Sequence, residues 1–395
     1  MRRVHPAWVL TLLVLYGPIA SDALRWRPVT GYAKQFGSVF NSPLRIGTDA
    51  LLTGRLRLNS GASHGRFDLE VGIDIVPRLR SSIDALDSGL PEPEGSAYRL
   101  TDIRQRLLPR DGSGQLELFQ NIDRLALGIR LGRADLRIGR QPLAFGDALV
   151  VNATDVIAPF TYQVIDKEER TGVDAVRLRW ALGELSEADV GWVVGDGGRL
   201  DDSAGFARLR LYVLDTDVTP MAILFQQHHL LGLSLTRNVW GASTYLEMAQ
   251  VFAEEGSDYT RWSIGSQQTV HPQLHSLIEF HHNGAGRNRI DPDAGVPHPS
   301  AYRDAGVYLL ARDYLIPSVV WQMSALSTLS LQALMNLHDG SWLAGPRVEF
   351  SLRDDLIAEA GLFKGFAALP TVTRHDDPEF VLYGHTFFAD IRRYF

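Results

Sequence analysis

The chain has no cysteine, which excludes a disulfide framework, a thiolate metal centre and a cysteine nucleophile. Lysine is almost missing too, with three lysines (Lys34, Lys167, Lys364) against 36 arginines. Past the first 23 residues no apolar stretch approaches the roughly eighteen needed for a membrane helix, which excludes a helical membrane protein as far as hydropathy can exclude one. No Pro/Ser-rich linker or charge block divides the 395 residues, so one large domain is expected. A net charge of −7 argues against a nucleic-acid surface.

What the chain does have is alternation. Leu52, Leu56 and Leu58 fall on one face and Arg55 and Arg57 on the other. After Ser60-Gly-Ala-Ser-His-Gly65, Phe67, Leu69, Val71, Ile73 and Ile75 oppose Asp68, Glu70 and Asp74. Successive side chains of a strand point to opposite faces, so this is a hairpin with one apolar and one charged side. The pattern recurs with Leu125, Leu127, Ile129 and Leu131 against Arg124 and Arg130, and with Leu136 and Ile138 against Arg137. Val176, Leu178 and Trp180 oppose Arg177 and Arg179; Leu209, Leu211 and Val213 oppose Arg208 and Arg210. The last ribbon, read from Val381 and Tyr383 through Phe387, Ala389 and Ile391, ends on an aromatic residue, Phe395.

Ribbons of about ten residues repeated along a whole chain predict a transmembrane antiparallel up-and-down β-barrel. Tight connections (183–186, 237–239, 270–273, 354–355) alternate with long ones (78–114, 148–170, 284–305, 367–379), which is the rhythm of short periplasmic turns and longer outer loops. Counting back from the C-terminus gives about eighteen strands if Gly31–Phe36 is also a strand. The other architecture with such ribbons is a soluble sandwich. Arg2 and Arg3, the apolar run 7–16 and the small residues Ser21 and Ala23 form a secretory signal. Cleavage is expected after Ala23, leaving 24–395 as the barrel. Trp180, Trp192, Trp240, Trp262, Trp321 and Trp342 are candidates for interfacial girdles.

Candidate chemistry is sparse. Gly61-Ala-Ser63-His-Gly65 has the spacing of a nucleophile elbow, but alternating strands flank it on both sides where the elbow needs a helix on one. His228-His229 and His281-His282 are adjacent on strands and point oppositely, a poor start for a metal site. Asp291-Pro-Asp293-Ala-Gly295 opens like a calcium loop without its later ligands. No cofactor or metal is expected, and no enzyme. The residues that matter are Arg55, Arg57, Arg124, Arg130, Arg137, Arg177, Arg179, Arg208 and Arg210. Facing a water-filled lumen they bias it toward anions; paired with Asp68, Glu70 and Asp74 they stiffen the wall instead.

The stretch Ile138-Gly139-Arg140-Gln141-Pro-Leu-Ala-Phe-Gly146, continuing through Asn152-Ala-Thr-Asp155 to Pro159-Phe160 and on to Thr171-Gly-Val-Asp174, resembles alginate-export-type outer-membrane barrels and related porin-like proteins. The match covers about forty residues. It implies an outer-membrane barrel, a passive channel for anionic solutes or an acidic polysaccharide such as alginate, and assembly by barrel-insertion machinery that reads the C-terminal strand ending at Phe395. The alternative is a non-conducting barrel whose outer loops bind a polysaccharide or protein. By phase, Arg140 falls on the lipid side, where a mid-depth charge costs about 2–4 kcal/mol. A bulge near Gly139 or Pro142 would remove that conflict, and the loop after it is then expected to fold inward as a constriction.

Overall fold

The computed structural model describes residues 23–41, 47–81, 97–101, 105–106, 116–159, 168–254, 256–288, 298–367 and 378–395. Residues 1–22 of the 1–23 signal segment, Phe160 and the Asp291–Gly295 stretch lie outside the described residues. In chain order the strands are β1 (Arg25–Asn41), β2 (Asp49–His64), β3 (Phe67–Arg80), β4 (Gln105–Arg106), β5 (Leu116–Leu131), β6 (Ala134–Gln141), β7 (Val173–Ala181), β8 (Glu187–Val193), β9 (Ala204–Val213) and β10 (Thr216–Phe225). They continue with β11 (His228–Val239), β12 (Ala242–Phe252), β13 (Tyr259–His271), β14 (Leu274–Asn283), β15 (Asp313–Ser324), β16 (Ser327–Asn336), β17 (Trp342–Ala344), β18 (Arg347–Arg353), β19 (Leu356–Phe366) and β20 (His385–Tyr394).

Each strand pairs antiparallel with its neighbour, and β20 returns to β1 with Tyr394 opposite Tyr32 and His385 opposite Asn41. β17 and β18 are one wall strand broken at Pro346, because both lie between β16 and β19. Proline has no N–H for the ladder, so the break falls there. β4 does not cross the wall; it pairs with the upper part of β5 beyond the end of β6. The wall is therefore a closed barrel of eighteen antiparallel strands, a form that leaves no edge unpaired. The expected Gly31–Phe36 strand is present within β1, and backbone bonds between Gly31 and Phe395 (2.9 and 3.0 Å) seal the seam.

Alternation sets the two faces. Leu125, Leu127, Ile138, Val176, Leu209 and Phe350 project outward and are exposed, while Arg57, Asp74, Glu117, Asn121 and Arg124 are buried inside. The six tryptophans noted above lie on outward phases or at a turn. Trp180, Trp240 and Trp321 sit at the rim carrying the tight turns, and Trp192, Trp262 and Trp342 near the opposite, long-loop rim. Two expected boundaries shift. β11 runs through Val239, so its turn is Trp240-Gly241, both at positive φ (53° and 84°), as a two-residue hairpin with right-handed strand twist requires. Val381 and Tyr383 belong to a short 3₁₀ turn (Glu379–Tyr383), not to the final ribbon.

Inside, the halves of the wall differ. From β1 to β6 the inner face is charged. On β7 to β13 apolar residues predominate around a few buried charges (Asp189, Arg208, Glu247, Arg261), with Val193, Ala204, Met221, Ile223, Phe225, Leu230, Ala249 and Val251 in one buried cluster. A second cluster (Phe36, Leu309, Tyr314, Ile316, Leu334, Phe363, Phe380, Phe388) lines the far side. An apolar inner face must be covered. Four segments cover it: Tyr98 of residues 97–101, residues 142–159, the turn around α1 (Pro299–Asp304), and residues 378–384.

Candidate pore constriction

The Gly139-Arg140-Gln141 stretch is where the chain leaves the wall. Gly139 has φ +116°, and a Cβ there would meet the Leu125 carbonyl oxygen at 2.2 Å. This kink brings Arg140 off the lipid face, as the charge argument requires. Its guanidinium forks onto Asp174 (2.9 and 2.9 Å) and donates to the carbonyls of Ile122 (2.9 Å) and Thr101 (2.6 Å). Gln141 donates to the Ala175 carbonyl at 3.1 Å. The segment 97–101 lies against β7 where β6 is missing, with the Asp174 N–H donating to the Tyr98 carbonyl (3.0 Å).

Residues 142–159 then cross the lumen and are fastened to the opposite wall by two carboxylates. Glu247 on β12 accepts the N–H groups of Asp147 (2.8 Å), Ala148 (2.8 Å) and Thr154 (2.7 Å) and the Thr154 hydroxyl (3.0 Å). Glu279 on β14 accepts those of Leu149 (3.2 Å), Val150 (3.1 Å) and Val151 (2.8 Å), along with the Tyr245 hydroxyl. Both carboxylates are fully buried, so each ion is compensated by converging donors. Arg261 donates to the Asn152 carbonyl (3.3 Å), Ser263 to Val151 (2.6 Å) and Arg208 to Ala144 (2.8 Å).

The rest of the motif shapes this loop. Gly146 has φ +77°, and a Cβ on it would strike the Glu247 carboxylate at 2.3 Å. Asn152 accepts the N–H groups of Thr154 (3.1 Å) and Asp155 (3.0 Å) and donates to Phe145 (2.6 Å). Asp155 binds Arg170, and Pro159 packs on Gly306. The described part of the long connection therefore folds inward, as expected. Glu247 and Glu279 escaped sequence reading. Glu247 had a signal, a lone acid on an otherwise apolar inner face (Tyr245, Glu247, Ala249, Val251), a face that a water-filled lumen would not favour; Glu279, on a face with His281 and Asn283, had none.

The arginines divide by position. Arg57 is buried among Asp74 (2.9 Å), Asp123 (3.1 Å) and Glu169 (3.7 Å). Arg124 holds Asp123 and Glu169 (3.2 Å); a bulge in β5 between the partners of Gly72 and Ile73 turns both Asp123 and Arg124 inward. Arg55 lies in the electrostatic reach of Asp74. Arg177 forks onto Asp189 (2.8 and 2.8 Å), which also binds Arg208 (2.7 Å). Arg137 pairs with Glu70, half-buried. Arg130, Arg179 and Arg210 are more exposed near the tight turns, Arg130 on the Gly65 carbonyl (3.1 Å), Arg179 3.7 Å from Asp135, and Arg210 opposite Glu187. Sequence reading omitted Lys34, Arg78, Arg80 and Arg99, all buried along the same inner side.

Ser63 lies in a hairpin between β2 and β3, not at an elbow. The Ser263 hydroxyl donates to Val151 (2.6 Å), so the His281 Nδ1 contact (2.8 Å) is a donation from the imidazole and leaves it no base for that serine. Among the described residues no group of His, Asp or Glu is placed to hold a metal ion.

No protein-family model matches the chain, and no curated protein sequence matches it. Solved structures do. OccK5 (OpdH) of Pseudomonas aeruginosa superposes with TM-score 0.58 at 8% identity, covering 94% of this chain and 98% of that one. OccAB2 of Acinetobacter baumannii gives 0.58 at 10% identity over 94% and 98%, and the BenF-like porin of Pseudomonas fluorescens Pf-5 gives 0.54 at 10% over 94% and 98%. This is a porin fold. The similarity carries the porin-like part of the resemblance drawn from residues 138–175; the alginate-export part rests on those residues alone. A porin fold has room inside its wall for an inward loop.

Proposed function

We propose that the protein is a passive outer-membrane channel for anionic solutes, exported with removal of residues 1–23 and assembled through its C-terminal strand. The apolar outer band meets lipid between the tryptophan rims, and the tight turns face the periplasm. One observation carries the reading. A row of cations (Lys34, Arg55, Arg57, Arg78, Arg80, Arg99, Arg124) lines one inner side and outnumbers the buried wall acids beside it (Asp74, Glu117, Asp123, Asp390), while the acids of the opposite side, Glu247 and Glu279, are consumed by backbone donors of the inward loop. The field in the passage is then set by the cationic side, and a cationic lining favours anions.

The loop narrows the lumen, which favours small carboxylates; an acidic polysaccharide such as alginate is the polymeric member of the same class, threading past the cations one uronate at a time. Liposome swelling separates these. The account expects faster entry of small dicarboxylates than of diamines of equal size, and slowing of that entry by alginate oligomers. Equal rates for anions and cations would reject it. The second reading, a non-conducting barrel that binds polysaccharide through its loops, draws on the two apolar clusters inside the wall; liposomes bearing folded protein that do not swell with any solute would favour it.

A further inference from the structure

After the inward loop, the chain returns along the cationic side and places two consecutive carboxylates there. Glu168 lies 3.6 Å from Lys34 Nζ and 3.4 Å from Arg392 Nε, and accepts the Tyr394 hydroxyl. Glu169 lies 3.2 Å from Arg124 Nη2 and 3.7 Å from Arg57 Nη2. These cations come from β1, β2, β5 and β20, so they are fixed by the wall and not by the loop. All four ion pairs exceed the roughly 2.7–2.9 Å of a strong charge-assisted hydrogen bond, so the cations hold the two carboxylates loosely. Beside them a cavity of about 420 Å³ opens, lined by Thr30, Tyr32, Asn59 and Tyr394. A space of that size takes a small organic anion.

We propose that Lys34, Arg392 and Tyr394 form one carboxylate seat and Arg57 with Arg124 a second, that together they bind dicarboxylates, and that Glu168 and Glu169 occupy them as a tethered competitor. The proposal rests on the anion-channel reading and names the ligand class of that channel. A soluble dianion entering the cavity exchanges with the two glutamates, so occupancy responds to ligand concentration. The tether is not needed to hold the loop: Arg170 binds Asp155 and the Ala158 carbonyl, and the Gly172 N–H donates to Asp123 (2.9 Å). The cations also keep wall partners, Arg57 on Asp74 and Arg392 on Glu349 and Glu359, so neutral glutamines at 168 and 169 leave no bare buried charge.

The experiment is calorimetric titration of glutarate into the folded, detergent-solubilised barrel. A tethered group at millimolar effective concentration weakens a competing ligand, so E168Q/E169Q is expected to bind glutarate on the order of tenfold more tightly than the wild type. E184Q, which removes an exposed acid in the β7–β8 turn, is expected to leave affinity unchanged. E168Q alone retains Glu169 on Arg124 and is expected to tighten binding less, and it serves if the double variant does not fold. Equal affinity in wild type and glutamine variants, or no binding to either, overturns the proposal. Conductance of the same preparations keeps the two claims apart: silent bilayers with tightened glutarate binding reject the channel and leave the seats, while conducting bilayers with unchanged binding reject the seats alone.

Discussion

At the scale of single residues, the loop inside the barrel depends on a few side chains that cannot be exchanged cheaply. Glu247→Ala would strand three backbone N–H groups and a hydroxyl, each such charge-assisted bond being worth about 1.5–3 kcal/mol. The loop is expected to leave the far wall, raising single-channel conductance at least about twofold, while the wall, whose ladder is untouched, is expected to migrate on unheated gels as the folded wild type does. Gly146→Ala is expected to act alike, because its φ of +77° and the 2.3 Å approach of the Glu247 carboxylate leave no room for a methyl group. Asp189 is a third case. It serves two arginines, Arg177 and Arg208, and Asp189→Leu leaves both uncompensated inside the wall, a change of about 3–5 kcal/mol by the cost of breaking buried pairs. Its urea midpoint is expected to fall well below that of Arg179→Leu, which removes an exposed pair.

At the scale of elements, the wall and its departure near Gly139 were legible, and its other interruptions were not. The β2–β3 hairpin reads from the sequence because Leu52 to Leu58 and Phe67 to Ile75 alternate without a break. The bulge that turns Asp123 inward beside Arg124 leaves only a one-residue phase slip. Segment 97–101 replaces the missing part of β6 through backbone bonds, which carry no sequence pattern. Val381 and Tyr383 read as a strand only because apolar residues happen to alternate there; in a 3₁₀ turn of three residues per turn they point to different sides. That turn holds Glu379, whose buried carboxyl accepts the Leu310 N–H (2.9 Å), the Tyr314 hydroxyl (2.6 Å) and the Asn336 amide (3.0 Å). Burial outweighs these donors, and Asp339 adds repulsion, so its pKa is pushed up to about 7. A carboxyl raised on folding stabilises most below its unfolded pKa of about 4.3 and loses that contribution as the pH climbs through 7. Protease cleavage within 367–384 is expected to be faster at about pH 8.5 than at about pH 5, and Glu379→Gln is expected to flatten the difference; a wild-type loop indifferent to pH would contradict this.

At the scale of the whole molecule, the barrel is asymmetric in a way that links its sequence to its proposed work. An eighteen-strand wall is wide enough for water, and this one covers its mainly apolar inner half with inward segments and keeps most of its inner cations on the other. The alternation of arginine with leucine on β2 and β5 made the charged half readable. The anchoring of residues 142–159 to Glu247 and Glu279 was not, since those acids lie about a hundred residues or more along the chain from the backbone they hold. The most direct test of the central claim is the zero-current potential of the folded mature protein in a planar bilayer under a potassium chloride gradient. The account predicts a potential of the sign set by chloride, reduced when Arg57 and Arg124 are replaced by glutamine. A potential of the opposite sign would contradict it.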